Sequence, residues 1–486
     1  MELLLTRIGN SLDLTRADLA PFDYGLIELV KSELSYTYKY RGQGGSLEQE
    51  TRYMCKESAD KKHIYLSYCL MNRLVPKLKA RKCNVWFQDN TPKEKRYDLL
   101  RPVLDNVDES LFRPRQKDCF DAIIKNPYGI IQAPTGFGKT YLLGLLCNAF
   151  PKEKIHICTK SVKLVKEIYQ RLGQVVDSIG MVGGGSHDMD KRVTVFTVDS
   201  LDYSNGDAAI FIYDECHTAA GPSYIEKIMK LYPYSRRYGF SATPKGRGDG
   251  ADDILEALFG PLIFKMTYDD GVKHGLVSKI KVRWLQCSKA PAKGLHCVSK
   301  VYRDRYCIWE NPYRNKLIAD DIHQNYDKDT KILILVSTVA HAFSLRQYLP
   351  EFQVNYATLP PDTLSDLVRK GLVTSDYQPL TKKDKDSLFQ DFLSGKVTRV
   401  ISTDVWNTGI DVPDLAVVYN VSGRVSKILN TQGAGRASRL FSGKEYGQVV
   451  DINDKFGDYT GFSHARYALY KKLGWEQDGF YTKPRG

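Results

Sequence analysis

The chain has 486 residues, 42% hydrophobic and 26% charged, so it exceeds the roughly 250–300 residues at which one core stops growing, and two or three folded domains are expected rather than disorder. A formal net charge of +13 suits a polyanionic partner such as nucleic acid. No apolar run approaches the ~18–20 residues of a membrane span, and the start, Met1-Glu2-Leu3-Leu4-Leu5, is too short and lacks the basic residues of a signal peptide, so no membrane partner and a cytoplasmic location are expected.

Residues 1–105 alternate aromatic and polar side chains in Ser35-Tyr36-Thr37-Tyr38-Lys39-Tyr40 and His63-Ile64-Tyr65-Leu66-Ser67-Tyr68, which predicts a small, mostly β accessory domain. Within residues 73–101, Arg73, Lys77, Lys79, Arg81, Lys82, Lys93, Lys95, Arg96 and Arg101 face only Asp89, Glu94 and Asp98, with Trp86, Phe87 and Tyr97 interleaved. Such a surface can grip a duplex or stack on an unpaired base; a solvated charged face is the plainer alternative.

From 106 to 278 short apolar runs (Tyr128–Ile131, Ile155–Cys158, Val193–Phe196, Ala208–Tyr213) alternate with helix-like stretches, the pattern of buried parallel strands joined by helical crossovers. The first of these runs feeds Ala133-Pro134-Thr135-Gly136-Phe137-Gly138-Lys139-Thr140, which reads as a phosphate-binding loop. Its glycines let backbone N–H groups curl around phosphates at a helix N-terminus, Lys139 reaches the β and γ phosphates, and the Thr140 hydroxyl can hold Mg²⁺. ATP and Mg²⁺ are the cofactors this implies. The loop alone also suits a kinase, a GTPase or a transporter subunit. The run ending at Tyr213 delivers Asp214-Glu215-Cys216-His217, two adjacent carboxylates at the C-terminal edge of a strand: Asp214 to hold Mg²⁺, Glu215 to orient and deprotonate the attacking water.

The rhythm returns from 279 to 463 in Ile332–Val336, Val397–Ile401, Leu415–Tyr419 and Gln448–Val450, giving a second α/β lobe. Residues 288–311 read as a connector or decoration, 358–383 as an insertion, and 464–486 as a basic aromatic helix with a tail. Ten cysteines contain no Cys-x-x-Cys pair; Cys287, Cys297 and Cys307 recur every ten residues, but an iron–sulfur cluster normally wants four thiolates.

Asp214-Glu215-Cys216-His217 followed by Ser241-Ala242-Thr243-Pro244 resembles motifs II and III of the superfamily 2 helicases. Other motifs match in order. Arg113-Pro114-Arg115-Gln116 resembles the adenine-reading Q-type motif, with Gln116 on the base edge; Thr159-Lys160-Ser161 and Thr197-Val198-Asp199-Ser200 resemble motifs that touch strand phosphates. Ser402 to Pro413 resembles motif V and Gln432-Gly433-Ala434-Gly435-Arg436-Ala437-Ser438-Arg439 resembles motif VI. The resemblance covers roughly 106–460. It implies two tandem RecA-like parallel-sheet lobes with ATP between them. Pro134, Thr135, Gly136, Phe137, Gly138, Gly409 and Asp411 would line the nucleotide, with Gln432, Arg436 and Arg439 acting in catalysis. His217, Ser241 and Thr243 would couple hydrolysis to movement, and Ser337, Thr403 and Trp406 join the strand-contacting set. Within the superfamily the chain looks most similar to phage UvsW-type helicases, and also to XPB-like and restriction-enzyme translocase lobes. The expected activity is therefore ATP-dependent remodelling of branched or partly single-stranded DNA by a monomer, in the host cytoplasm if phage-encoded. An RNA helicase, or an ATP-dependent clamp that binds without moving, are the alternatives.

Overall fold

Leucines at alternate positions, Leu3 and Leu5 then Leu12 and Leu14, put one apolar face on a hairpin, and the rest of the N-terminal domain is built against it. The computed structural model describes residues 1–41, 47–244, 250–403, 406, 412, 414–423, 437 and 445–480. They form two units, Met1–Thr267 and Tyr268–Gly486. No helix among the described residues is long and apolar enough to cross a membrane.

In the first unit, β1 (Glu2–Ile8), β2 (Ser11–Arg16), β5 (Cys55–Glu57), β6 (His63–Ser67) and β7 (Asn84–Asp89) make a sheet of order β5-β6-β2-β1-β7, parallel only between β1 and β7. Helices Tyr24–Glu33 and Met71–Ala80 cover its apolar face with Leu26, Ile27, Val30, Leu74 and Leu78. The region is β-rich, with two helices beyond what the aromatic alternation announces. The alternation at 35–40 forms β3 (Ser35–Arg41), which pairs with β4 (Leu47–Tyr53) as a separate hairpin; Tyr36 sinks into the core of the neighbouring α/β lobe.

That lobe carries β8 (Tyr128–Gln132), β9 (Ile155–Thr159), β10 (Ile179–Gly183), β11 (Ser186–His187), β12 (Val193–Thr197), β13 (Ile210–Asp214), β14 (Arg236–Ser241) and β15 (Leu262–Lys265). Their order is β11-β10-β12-β9-β13-β14-β8-β15, with every described pairing parallel except β10 with β11. β9, β12 and β13 are buried along their whole length, as helices on both faces require, and each buried Ile, Val or Phe contributes about 1.5–3 kcal/mol.

The N-terminal domain docks on the N-terminal ends of these strands. Arg7 is buried: Nε donates to the Gly9 carbonyl (2.7 Å), its guanidinium to Asp98 (2.9 Å), Asp89 (3.2 Å) and the Tyr128 hydroxyl (3.0 Å), and it lies 3.9 Å over the Tyr68 ring. Burial would raise the Asp98 carboxyl, but Arg96 and Arg7 override it and hold it below the usual carboxylate range. Asn10 donates to the carbonyls of Tyr232 and Ser235, and Arg236 to those of Tyr97, Asp98 and Leu100.

His156, wholly buried in β9, sits 2.9 Å from the Tyr232 hydroxyl, and burial pulls its pKa down to about 4 despite the nearby Asp207. Its folded pKa thus lies below its unfolded one, so the unfolded chain takes a proton that the fold refuses. Stability is therefore lost as pH falls from about 6.5 to about 4, approaching roughly 3 kcal/mol. Urea unfolding at about pH 7 and about pH 4.5 should show a larger loss in the natural chain than in His156→Phe; equal losses would reject this assignment.

The second unit holds β16 (Lys279–Cys287), β17 (Ile332–Leu335), β18 (Gln353–Asn355), β19 (Arg399–Ser402), β20 (Val417–Asn420), β21 (Tyr446–Asp454) and β22 (Glu476–Asp478), ordered β18-β19-β17-β20-β21-β16-β22 and parallel throughout. The basic aromatic helix expected from 464 begins earlier, running Tyr459–Lys472 and burying Arg466 against Asp451 (3.1 Å), and β22 then adds an edge strand to the sheet. Within 358–383, helix Pro361–Arg369 buries Leu367 in the lobe core, and helix Lys382–Ser394 opens on a Thr381–Asp384 capping box.

Candidate active site

Because β8, β9, β12, β13 and β14 run parallel, each motif that follows one of these strands leaves it at the same edge of the sheet. On that edge β13, β14 and β8 are neighbours, so Asp214, Ser241 and the phosphate loop are brought together, with the ends of β12 and β9 alongside.

The loop from Ala133 leads into helix Lys139–Ala149. Gly136 (φ 94°) and Gly138 (φ 89°) adopt left-handed backbone that other residues rarely take, and a Cβ on Gly138 would stand 2.5 Å from the Gln116 amide nitrogen. Phe137 is buried and stacks on Phe264 at 5.6 Å; Pro134 accepts the Phe137 N–H at 3.3 Å; Thr135 and Thr140 are partly exposed. Lys139 Nζ donates to the Ala133 carbonyl (3.3 Å), and the Ala133 N–H to the Ser241 carbonyl (3.1 Å), which ties the loop to β14.

Gln116 is buried, not presented at a surface: its amide donates to the Phe137 carbonyl (2.6 Å) and its oxygen accepts the Arg113 N–H (2.9 Å), while Arg113 is exposed. It braces the phosphate loop, and only its remaining donor and lone pair are left for a base edge.

Asp214 ends β13 almost fully buried, and burial, reinforced by the Glu215 carboxylate beside it, pushes its pKa up to about 7. Its Oδ1 makes no hydrogen bond within the protein. An orphaned, buried carboxylate oxygen within the electrostatic reach of Lys139 fits a divalent cation bound with phosphates. Glu215 takes a left-handed backbone (φ 59°, ψ 49°) as the chain turns into Cys216–Ala219. His217 Nδ1 lies 3.0 Å from the Ser241 hydroxyl and 3.4 Å from Glu215 Oε2, and Ser241 Oγ accepts the Thr243 N–H at 3.0 Å. The carboxylate pair and the end of β14 are thus joined through one imidazole and one hydroxyl.

Of the residues expected to touch a strand, Lys160 is exposed at the end of β9 and Ser161 caps helix Val162–Leu172 by accepting the Leu164 N–H (3.3 Å). Thr159 is buried, and the Thr197 and Ser200 hydroxyls bond each other at 2.8 Å. Gly183, Gly184 and Gly185, which the sequence reading passed over, all take positive φ; a Cβ on Gly183 would lie 3.4 Å from Thr197 and one on Gly184 2.6 Å from Val162. Three successive glycines were the available signal.

In the second unit, Ser337 lies two residues beyond β17, 3.5 Å from His341 Nδ1, and Thr403 follows β19. Trp406 is a correction: it is 2% exposed, with its ring packed on Phe392 (5.3 Å) and Phe389 (5.7 Å), so it supports the core instead of stacking on a strand. Gly409, Asp411, Gln432, Arg436 and Arg439 lie outside the described residues. Cys287 and Cys307 are core residues and the Cys297 thiol donates to the Lys293 carbonyl; no metal-binding group of three or more His, Cys, Asp or Glu gathers among the described residues.

Two family models match in tandem: "Type III restriction enzyme, res subunit" over residues 109–246 and "Helicase conserved C-terminal domain" over 315–441. The chain belongs to the superfamily 2 helicases. The helicase is 24% identical over 376 residues to the DNA 3'-5' translocase XPB2 of Sulfurisphaera tokodaii, covering 71% of this chain and 84% of that one. It is 24% identical over 366 residues to the ATP-dependent DNA helicase uvsW of Enterobacteria phage T4, covering 70% and 68%. Against "Putative helicase 22" of a Sulfolobus islandicus filamentous virus it is 25% identical and spans 60% of that protein's length. Its fold is shared with an HsdR fragment of a type I restriction enzyme from Vibrio vulnificus (TM-score 0.54, 16% identity, 90% of this chain and 76% of that one). It is shared too with S. cerevisiae Dbp5 bound to RNA and ADP BeF3 (TM-score 0.52, 16% identity, 75% and 89%). Tandem RecA-like lobes are thus the architecture of the helicase.

Proposed function

We propose that this helicase is an ATP-dependent DNA translocase that remodels branched DNA, such as forks and Holliday junctions. The observation that carries the reading is the gathering of the phosphate loop, the Asp214-Glu215 pair and the His217–Ser241 contact on one sheet edge, beside the ends of β9 and β12. The XPB2 and uvsW relatives are named for DNA, which favours DNA over RNA.

ATP with Mg²⁺ supplies a phosphoryl group whose transfer releases the driving energy. Lys139 neutralises the β and γ phosphates; Thr140 and Asp214 hold the cation; Glu215 orients the water and takes its proton. By the family resemblance, Gln432, Arg436 and Arg439 would take part in catalysis and Gly409 and Asp411 in nucleotide binding. Any change at Glu215 reaches Ser241 through His217, and Ser241 holds Thr243 by its backbone, so the pair has a short mechanical path to β14. Lys160, Ser161, Thr197 and Ser200, with the Gly183–Gly185 backbone, present hydroxyls, amides and one cation for strand phosphates without reading bases. Ser337 and Thr403 serve the same purpose on the second lobe.

Steady-state ATP hydrolysis at fixed low salt, with no nucleic acid, single-stranded DNA, duplex DNA, a four-way or fork junction, or RNA, tests the reading. Strongest stimulation by the branched DNA is expected. Stimulation by RNA alone would replace it with an RNA helicase, and stimulation by none of them with a partner-dependent switch that binds nucleic acid without moving.

A further inference from the structure

Leu295, Val298, Val301 and Tyr302 are all exposed, Val298 by 96%, and they sit together on one outcrop of the second unit. The outcrop consists of helices Ala292–Leu295 and Lys300–Asp304 and a π-helical turn, Arg305–Trp309. Cys307 and Ile308 root it in the lobe core, while Leu295, Val298, Val301 and Tyr302 stay exposed on its outer side. Scattered single apolar residues need no account, but a cluster of four on one short element does.

Its charge is one-sided. Between 289 and 305 the sequence has Lys289, Lys293, Lys300, Arg303 and Arg305 against Asp304 alone. Asp304 is engaged by the Tyr459 hydroxyl (2.6 Å), Arg303 by Asp458 (2.9 Å), and Arg305 lies 3.6 Å from Glu310 and from Asp366. The three lysines instead rest over ring faces: Lys289 on Tyr313 at 5.7 Å, Lys293 on Tyr306 at 3.9 Å, Lys300 on Phe462 at 5.9 Å. Among the described residues none of the three lysines has a carboxylate partner, so this stretch of the outcrop carries an excess of positive charge alongside its exposed apolar side chains.

We propose that this outcrop is a docking site for an acidic protein segment that presents apolar side chains, in the form of an amphipathic helix. Carboxylates on its polar face answer the lysines, and its apolar face covers Leu295, Val298, Val301 and Tyr302. Nucleic acid answers the charge but not the aliphatic side chains: Leu295, Val298 and Val301 have no π-face for a base and no hydrogen bond for a phosphate, and would desolvate the backbone they met. A protein interface with an apolar centre and a charged rim uses both features. The inference uses none of the residues of the strand-contact reading.

The test uses the full chain and a fluorescein-labelled synthetic peptide with glutamates on one helical face and leucines and phenylalanines on the other, followed by anisotropy. The companion probe has serines in place of its leucines and phenylalanines. The first peptide should bind and the second should not. Val298→Ser with Val301→Ser, and separately Lys293→Glu with Lys300→Glu, should each weaken binding about tenfold or more while basal ATP hydrolysis is unchanged. Failure of the amphipathic peptide to bind, equal binding by the variants, or equal binding of the serine peptide overturns the proposal. So does loss of single-stranded DNA affinity in the variants with no effect on the peptide, which would make the outcrop a nucleic-acid surface.

Discussion

Lys139→Ala should leave the chain folded and bring ATP hydrolysis to background, with or without DNA. Lys139 is the sole cation between Ala133 and Thr140, and nothing else on the loop can balance charge building on the γ phosphate. Loss of one preorganised electrostatic contact costs about 10²–10³ in turnover, and a full lysine charge close to the transferring group belongs at or beyond the upper end. The fold has little stake in it: the side chain is partly exposed, its contact is with the Ala133 carbonyl of the same loop, and alanine suits the first position of helix Lys139–Ala149. Steady-state hydrolysis beside a urea unfolding curve checks both halves. Unimpaired turnover by a folded Lys139→Ala protein would refute the assignment of the phosphate loop.

Arg7→Met is expected to loosen the N-terminal domain from the first lobe and to cost about 2–4 kcal/mol. The substitution keeps most of the volume but removes the cation shared by Asp89, Asp98 and the Tyr128 hydroxyl, of which Asp98 and Tyr128 are buried or nearly so. Arg96 stays within 3.0 Å of Asp98 and 3.3 Å of Asp89, which is why the expected loss falls short of a fully orphaned pair. Hydrogen exchange should quicken in β1, β2 and β7 by roughly 10-fold or more, a factor of ten standing for about 1.4 kcal/mol, while the second unit is unaffected. Unchanged protection would mean that the apolar contacts alone hold the domain.

The phosphate loop and the Asp214-Glu215 pair were legible in the sequence because each sets unusual residue types directly after an apolar strand. β14 was not. It opens on Arg236 and Arg237, which read as surface charge; Arg236 is buried only because the carbonyls of Tyr97, Asp98 and Leu100, more than a hundred residues away, surround its guanidinium. A period-two or apolar-run reading cannot see a strand whose polar groups are satisfied from another domain. Motif position also says nothing about which way a side chain turns: it did not announce that Gln116 braces the phosphate loop or that Trp406 packs in a core. β22 was lost for the opposite reason, being three polar residues that gain strand geometry only by pairing with β16.

Glu215 is asked to do its work on a backbone that costs a non-glycine residue of order 1–3 kcal/mol. Glycine there would relax the turn and remove the carboxylate in one step. Under the proposed role, position 215 is therefore a place where selection for heat resistance alone would reward the very replacement expected to stop turnover, and a thermostability screen run without an activity filter should recover Glu215→Gly.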